Sequence, residues 1–246
     1  MANWWIGCSG FHYKHWKGIF YPDKLAQTKW FDFYNNRFKT LELNVTFYRF
    51  PRLPYLQTWY NASPHPFSFS VKAPRAITHY RQFNNTQQML SDFYGTCAEG
   101  LKEKLGAILF QMPSRIAYKE EKLDQIIESL DPSFTNVVEF RNESWWNAAV
   151  YNKLSNRKIA FCGMSHPGLP EEIIQNTPSL YYRFHGIPHL YKSKYETDTL
   201  RKFVDEIEDT AGLKEVFIYF NNDIDGSAII NATEMQTYIS ERYPGK

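Results

Sequence analysis

A chain of 246 residues, 43% hydrophobic and 22% charged, has the length of one large barrel or two small domains and the composition of a soluble globular protein. No apolar run approaches the roughly 18 residues that a membrane-spanning helix needs, so a helical membrane protein is excluded. The net charge of +2 hides a split: residues 1–115 hold 14 Lys/Arg against 6 Asp/Glu, and residues 116–246 hold 14 against 20.

In a closed fold that split sets a basic side opposite an acidic one, and the basic side suits an anionic ligand, nucleic acid included. Cys8, Cys97 and Cys162 lie far apart with no CxxC, which speaks for reduced thiols and against a secreted disulfide framework. The opening MANWWIGCSG has no basic segment followed by a long apolar one, so no signal peptide is expected and the expected location is cytoplasmic.

Short apolar runs alternate with longer amphipathic segments from end to end. The runs are 4–8, 40–45, 67–72, 106–112, 136–141, 158–163, 179–184 and 215–220, each readable as a strand. Helix-like segments follow at roughly 24–37, 53–62, 86–104, 118–130, 144–155, 170–176, 197–210 and 227–242. Asp198 and Ser227 stand where the last two helices should start, and Pro132 stops the fourth. Eight strand-then-helix units in this length predict an α/β fold, a single (β/α)8 TIM barrel over residues 1–246. A doubly wound open sheet would need no eighth unit. No GxGxxG follows the first run, and no cofactor is expected.

Side chains of a strand alternate between faces, so each run can be split in two. One set is apolar throughout and should face the helices: Leu41 and Leu43, Phe69 and Val71, Ile108 and Phe110, Val138 and Phe140, Tyr182 and Phe184, Ile218 and Phe220. The other set turns polar only towards the end of each run: Glu42 and Asn44, Ser70 and Lys72, Gln111, Glu139 and Arg141, Arg183 and His185, Asn221. The segment 136–141 makes the point, because a buried strand has little reason to end in Glu139 and Arg141 on one face. Active sites of such barrels lie at the carboxyl-terminal ends of the strands, so these groups are expected to share one pocket.

The same residues resemble a known family. Gly7-Cys8-Ser9-Gly10 with Tyr13, Trp16, Gly18 and Phe20-Tyr21-Pro22 is similar to the opening of the YecE-like family, domain of unknown function 72. Glu42 to Tyr48, Lys72 with Thr78-His79, Phe110 to Pro113, Glu139-Phe140-Arg141 with Ser144-Trp145, Arg183 to Gly186, and Phe220 to Asp223 with Gly226 agree in order over nearly the whole chain. The resemblance implies a TIM barrel in a cytosolic, mostly bacterial or archaeal setting, and no established activity. It also implies a likeness to the barrels of endonuclease IV and xylose isomerase.

Two carboxylates, three cations, an imidazole and several amides favour a small anionic ligand bearing phosphate or carboxylate. Arg supplies a planar fork and Lys a point charge. Glu42, Glu139 and His185 are the candidate catalytic groups, for metal-free acid–base chemistry. The same acids read alternatively as ion-pair partners, Glu139 of Arg183 and Glu42 of Lys72. Asn44, Lys72, His79, Gln111, Arg141, Trp145, Arg183, Asn221 and Asn222 are the candidate ligand-binding residues, Trp145 as a stacking platform. His12 and His15 are expected in a solvated loop. Ser227, opening the last helix, marks a candidate phosphate turn. The cations crowding Glu42, Glu139 and His185 repel divalent ions, so no metal is expected. A Schiff base on Lys72 is a lesser reading. A glycosidase-like pair of Glu42 and Glu139 beside Trp145 is another. The alternative to an enzyme is a non-catalytic protein binding a nucleotide or single-stranded nucleic acid through the basic first half and loop aromatics.

Overall fold

Strand alternation sorts the apolar residues into two separate cores. The computed structural model describes residues 2–208 and 210–243, so positions 1, 209 and 244–246 of the expected domain, and position 209 of the expected seventh helix, lie outside the described residues. Eight strands, β1 (Asn3–Cys8), β2 (Thr40–Leu43), β3 (Ser68–Lys72), β4 (Leu105–Gln111), β5 (Asn136–Glu139), β6 (Ala160–Ser165), β7 (Ser179–Phe184) and β8 (Glu215–Phe220), form one sheet. Its order is β1-β8-β7-β6-β5-β4-β3-β2, with every pairing parallel. The helices are α1 (Trp30–Asn35), α2 (Val45–Tyr48), α3 (Leu53–Ala62), α4 (Gln87–Leu101), α5 (Glu120–Ser129), α6 (Ala148–Ser155), α7 (Thr197–Glu208) and α8 (Ser227–Arg242). This is the nearly closed α/β barrel that the eight alternating units require.

The larger core lies between strands and helices and contains every residue assigned to the outward faces, from Leu41 to Phe220. The smaller one fills the barrel interior with Ala107, Leu109, Val137, Ala160, Cys162, Tyr181, Phe217 and Tyr219, and Trp5 packs against it. Tyr219 is pinned there by Thr40 Oγ1 at 2.6 Å and Ser70 Oγ at 2.8 Å. The interior is thus plugged, and the polar strand ends stand on an apolar floor. Among the described residues no helix is long and apolar enough to cross a membrane.

Three expectations need correction. Segment 170–176 forms no helix but an irregular span held against β6. Asn176 holds it by accepting from Phe161 N at 2.8 Å and donating to Ile159 O at 2.9 Å. The approach is so close that a Cβ at Gly163 would stand 2.9 Å from the Glu172 carbonyl oxygen. β6 starts two residues later than expected, because Lys158 has φ 57° and belongs to a turn. The expected first helix, 24–37, is a 3-10 turn at Gln27–Lys29 followed by α1, and the short α2 has no counterpart among the expected helices.

β1 and β2 stand at the two ends of the sheet order, and a side chain joins them. The Tyr34 hydroxyl accepts from Cys8 N at 3.0 Å and donates to Thr40 O at 3.0 Å, replacing a direct ladder bond across the seam. Tyr34→Phe strands both backbone groups in a buried setting. It should lower unfolding stability by about 1–3 kcal/mol in denaturant titration, without changing the slope of the transition.

Candidate functional site

The strand ends deliver their polar groups to one place, and one guanidinium organises them. Arg183, at the inner face of β7, is fully buried. Its Nη2 donates to Glu42 Oε1 and its Nη1 to Glu139 Oε2, both at 2.6 Å. Ser9 Oγ donates to Glu42 Oε1 at 2.6 Å, and the Tyr181 hydroxyl donates to Oε2 at 2.7 Å. Arg141 Nε forms a second ion pair with Glu139 Oε1. Burial alone would push the Glu139 carboxyl up. Arg141, Arg183 and Lys72 outweigh it and hold the group ionised far below its ordinary range.

His185 is also fully buried, and its Nε2 accepts from Arg141 Nη2 at 2.9 Å. Burial, then Arg141 and Arg183, push its pKa well below the ordinary value, so the ring is neutral. A neutral ring with an accepting Nε2 carries its proton on Nδ1, 3.0 Å from the Asn221 amide. That contact calls for the Asn221 oxygen facing the ring.

Lys72 ends β3 and is 9% exposed. Among the described residues its Nζ makes no ion pair or hydrogen bond, and it lies 4.3 Å from the centroid of the Phe47 ring. Burial first, then Arg183, bring its pKa down to about 7. Asn44 is half-buried; its Nδ2 donates to Ser9 O at 3.2 Å and its Oδ1 has no described partner. Half-buried Gln111 stands level with Glu139 in the register. His79 packs edge-on against Phe47, its Nδ1 2.9 Å from Thr78 Oγ1, and burial followed by Lys72 and Arg115 lower its pKa to about 4.

Glu42, Glu139, His185, Arg141, Arg183 and Asn221 are therefore linked through one cluster, with Lys72, Asn44, Gln111 and His79 around it. Two candidates lie elsewhere. Trp145 is fully buried behind β5, stacked on Phe140 at 4.0 Å with its Nε1 donating to Ile116 O at 2.8 Å, so it cannot stack on a ligand. Asn222 has the opposite parity and binds Ser193 O at 2.9 Å and Asn231 Oδ1 at 3.0 Å, tying its loop to α8. The pairing of Glu42 with Lys72 gives way to Glu42 with Arg183. With both acids on one guanidinium and Trp145 behind the wall, the glycosidase-like arrangement has no geometry to support it.

Several participants were not anticipated. Ser9 and Tyr181 share the inward parity of their strands, and that parity was the available signal for them. His15 lies in an exposed loop as expected, but its Nε2 is 2.9 Å from Asp223 Oδ2, while Trp16 Nε1 donates to Oδ1 at 2.7 Å. Burial raises the Asp223 pKa to about 6 against those two partners. Ser227 is buried. Among the described residues no three His, Cys, Asp or Glu side chains converge as metal ligands. A cavity of about 1310 Å³ lies away from this cluster at the amino-terminal ends of the strands, against Trp4, Arg37 and Leu213.

Comparison with known proteins follows the whole chain. The sequence profile of the family described as "Protein of unknown function DUF72" matches residues 5–245. The UPF0759 protein YunF of Bacillus subtilis is 26% identical over 262 residues, covering 92% of each chain. The crystal structure of a DUF72 family protein from Thermotoga maritima superposes with a TM-score of 0.87 at 28% identity, covering 96% of this chain and 99% of the other. One from Enterococcus faecalis gives 0.83 at 18% identity, covering 97% and 96%.

Removing one member of the buried ion network leaves the others uncompensated. Arg183→Met should cost about 3–5 kcal/mol in denaturant unfolding. Glu139, with its folded pKa depressed below the ordinary 4.5, contributes stability that is full above that value and lost as pH falls further. The stability gap between wild type and Glu139→Gln should therefore be widest near neutrality and narrow progressively below pH 4.5, as unfolding titrations at stepped pH would show.

Proposed function

The chain belongs to the DUF72 family of proteins of unknown function, and from its own site we propose that the carboxyl-terminal mouth of the barrel binds a small anionic ligand, a carboxylate or a phosphate. The observation that carries this reading is Lys72, a nine-tenths buried amine with no described counter-ion. A buried cation without a partner is costly, and an anion arriving at the mouth removes that cost. Arg141 adds a second contact. Its Nε and Nη2 serve Glu139 and His185, which leaves Nη1 without a described partner.

Acid–base chemistry at this mouth falls to Lys72. Both oxygens of Glu42 and of Glu139 accept from Arg183, Ser9, Tyr181 or Arg141, and His185 Nε2 is engaged by Arg141. These three groups act as holders of the guanidinium groups. The amine near pKa 7 is suited to exchange a proton at neutral pH, and this needs no metal.

Lys72 faces charges from every side: Glu42 and Glu139 favour its protonated form, and burial, Arg183 and Arg141 oppose it. The protonated amine binds anions, so affinity for oxalate or inorganic phosphate should fall as pH rises through about 7, read by calorimetric titration between pH 6 and 8. Lys72→Met and Arg141→Met should each weaken binding roughly tenfold or more, about 1.4 kcal/mol. Affinity that is flat with pH and unchanged in both variants would remove the reading.

A second reading has its own support. The Arg75 guanidinium lies 5.5 Å from the Tyr48 ring centroid and 5.3 Å from that of Tyr80, and the two tyrosines are 65% and 67% exposed. No Asp or Glu occurs between Leu43 and Ser91. Exposed rings flanking a cation, on a stretch free of acids, suit single-stranded nucleic acid. Fluorescence polarisation with a labelled oligonucleotide should show binding that weakens steeply with salt and is largely lost in Tyr48→Ala/Tyr80→Ala. A flat titration at low salt would sink it.

A further inference from the structure

Lys72 differs from the other charged groups of the site in how it is held. Both acids are filled by Arg183, Ser9, Tyr181 and Arg141, whereas among the described residues Nζ of Lys72 meets an aromatic face and no hydrogen-bond partner, and keeps its lone pair or its protons for something else. It stands at the end of a barrel strand, fixed by its own backbone: its carbonyl accepts from Thr46 Oγ1 at 2.6 Å, and β3 pairs on both sides. The stem is buried, so the amine has little freedom to swing into solvent.

We infer that Lys72 is a covalent amine that captures the carbonyl carbon of a small aldehyde or ketone bearing a carboxylate or phosphate, and holds it as an imine. This deepens the anion-binding reading and rests on it. Arg141 Nη1 and the positive field of the guanidinium pair would take the anionic group, and Lys72 the carbonyl. A simple anion site would be better served by a second Arg, whose fork is never deprotonated. Lys, by contrast, becomes a nucleophile where burial and neighbouring cations acidify it.

The chemistry balances without any further reactant. The neutral amine adds to the carbonyl carbon, forming a C–N bond while the C=O pair moves onto oxygen. Both amine protons pass to that oxygen, the C–O bond breaks, and water leaves. With a pKa of about 7, near half the Lys72 amine is neutral at neutral pH. An ordinary lysine offers less than about a thousandth.

Trapping tests this directly. The full chain is incubated at pH 7 with pyruvate and sodium cyanoborohydride, followed by intact mass and peptide mapping. The expected result is one reduced adduct on Lys72, formed roughly tenfold or more faster than on any other lysine, weaker in Arg141→Met, absent in Lys72→Arg, and not formed with uncharged acetone. No adduct, an adduct spread over exposed lysines, or one that survives in Lys72→Arg overturns the inference. Oxalate, an anion without a ketone, separates the two readings. Oxalate binding with no pyruvate adduct sinks the imine and leaves the anion site standing; loss of both sinks both. Mapping on the wild-type chain keeps the test decisive even if a Lys72 variant fails to fold.

Discussion

The carboxyl-terminal end of this barrel depends on Arg183. Its guanidinium reaches from β7 to Glu42 on β2 and Glu139 on β5, strands not adjacent to its own or to each other in the sheet. Below it the interior is mostly apolar, with the Tyr219 hydroxyl making a smaller polar link from β8 to Thr40 and Ser70. A buried ion network of this kind gives little stability over well-packed apolar residues, while breaking it is expensive. Its presence at the one end where barrel sites lie therefore says more about charge placement than about holding the fold.

Two layers of residues at that end behave differently. The inner layer, Arg183 with Glu42, Glu139, Ser9, Tyr181 and His185, is closed to solvent, and Arg183 and the two acids bond chiefly within it. The outer layer, Lys72 with Asn44, Gln111, His79 and Asn221, is where an incoming molecule would arrive. Arg141 joins the two, with two nitrogens turned inward and one left over. The tyrosine and arginine group at Tyr48, Arg75 and Tyr80 shares the positive sign of this outer layer. It offers flat rings where the mouth offers point charges, and so suits a different class of ligand.

The barrel was legible in the sequence because it depends on periodicity. Alternation in runs such as 106–112 and 215–220 located strands and faces together, and a slip of one residue would have reversed every assignment. Parity also carried Glu42, Glu139, Arg141, Arg183 and His185 to one end. What it could not give was pairing, since long side chains cross the barrel to partners on any strand; Lys72 was matched to Glu42, and Arg183 holds that place. Nor did proximity to a strand end suffice. Trp145 follows β5 closely, yet the turn that carries it folds back onto Phe140 on the helical side. The missing helix at 170–176 has a related cause: one asparagine, Asn176, mimics backbone pairing along β6, which no local pattern reveals.

Similarity to DUF72 proteins fixes the architecture, and one architecture serves many chemistries. The distinguishing quantity here is the charge state of Lys72, and it is set at a distance. Burial, and after it Arg183, lowers the pKa of the amine, while Glu139 and Glu42, which hold Arg183, raise it. Each acid therefore acts on Lys72 twice, directly by attraction and indirectly by fixing the cation that repels it. Burial brings the amine down first, and the opposed charges of Arg183 and Arg141 against Glu139 and Glu42 then set where between its ordinary value and full neutrality it comes to rest.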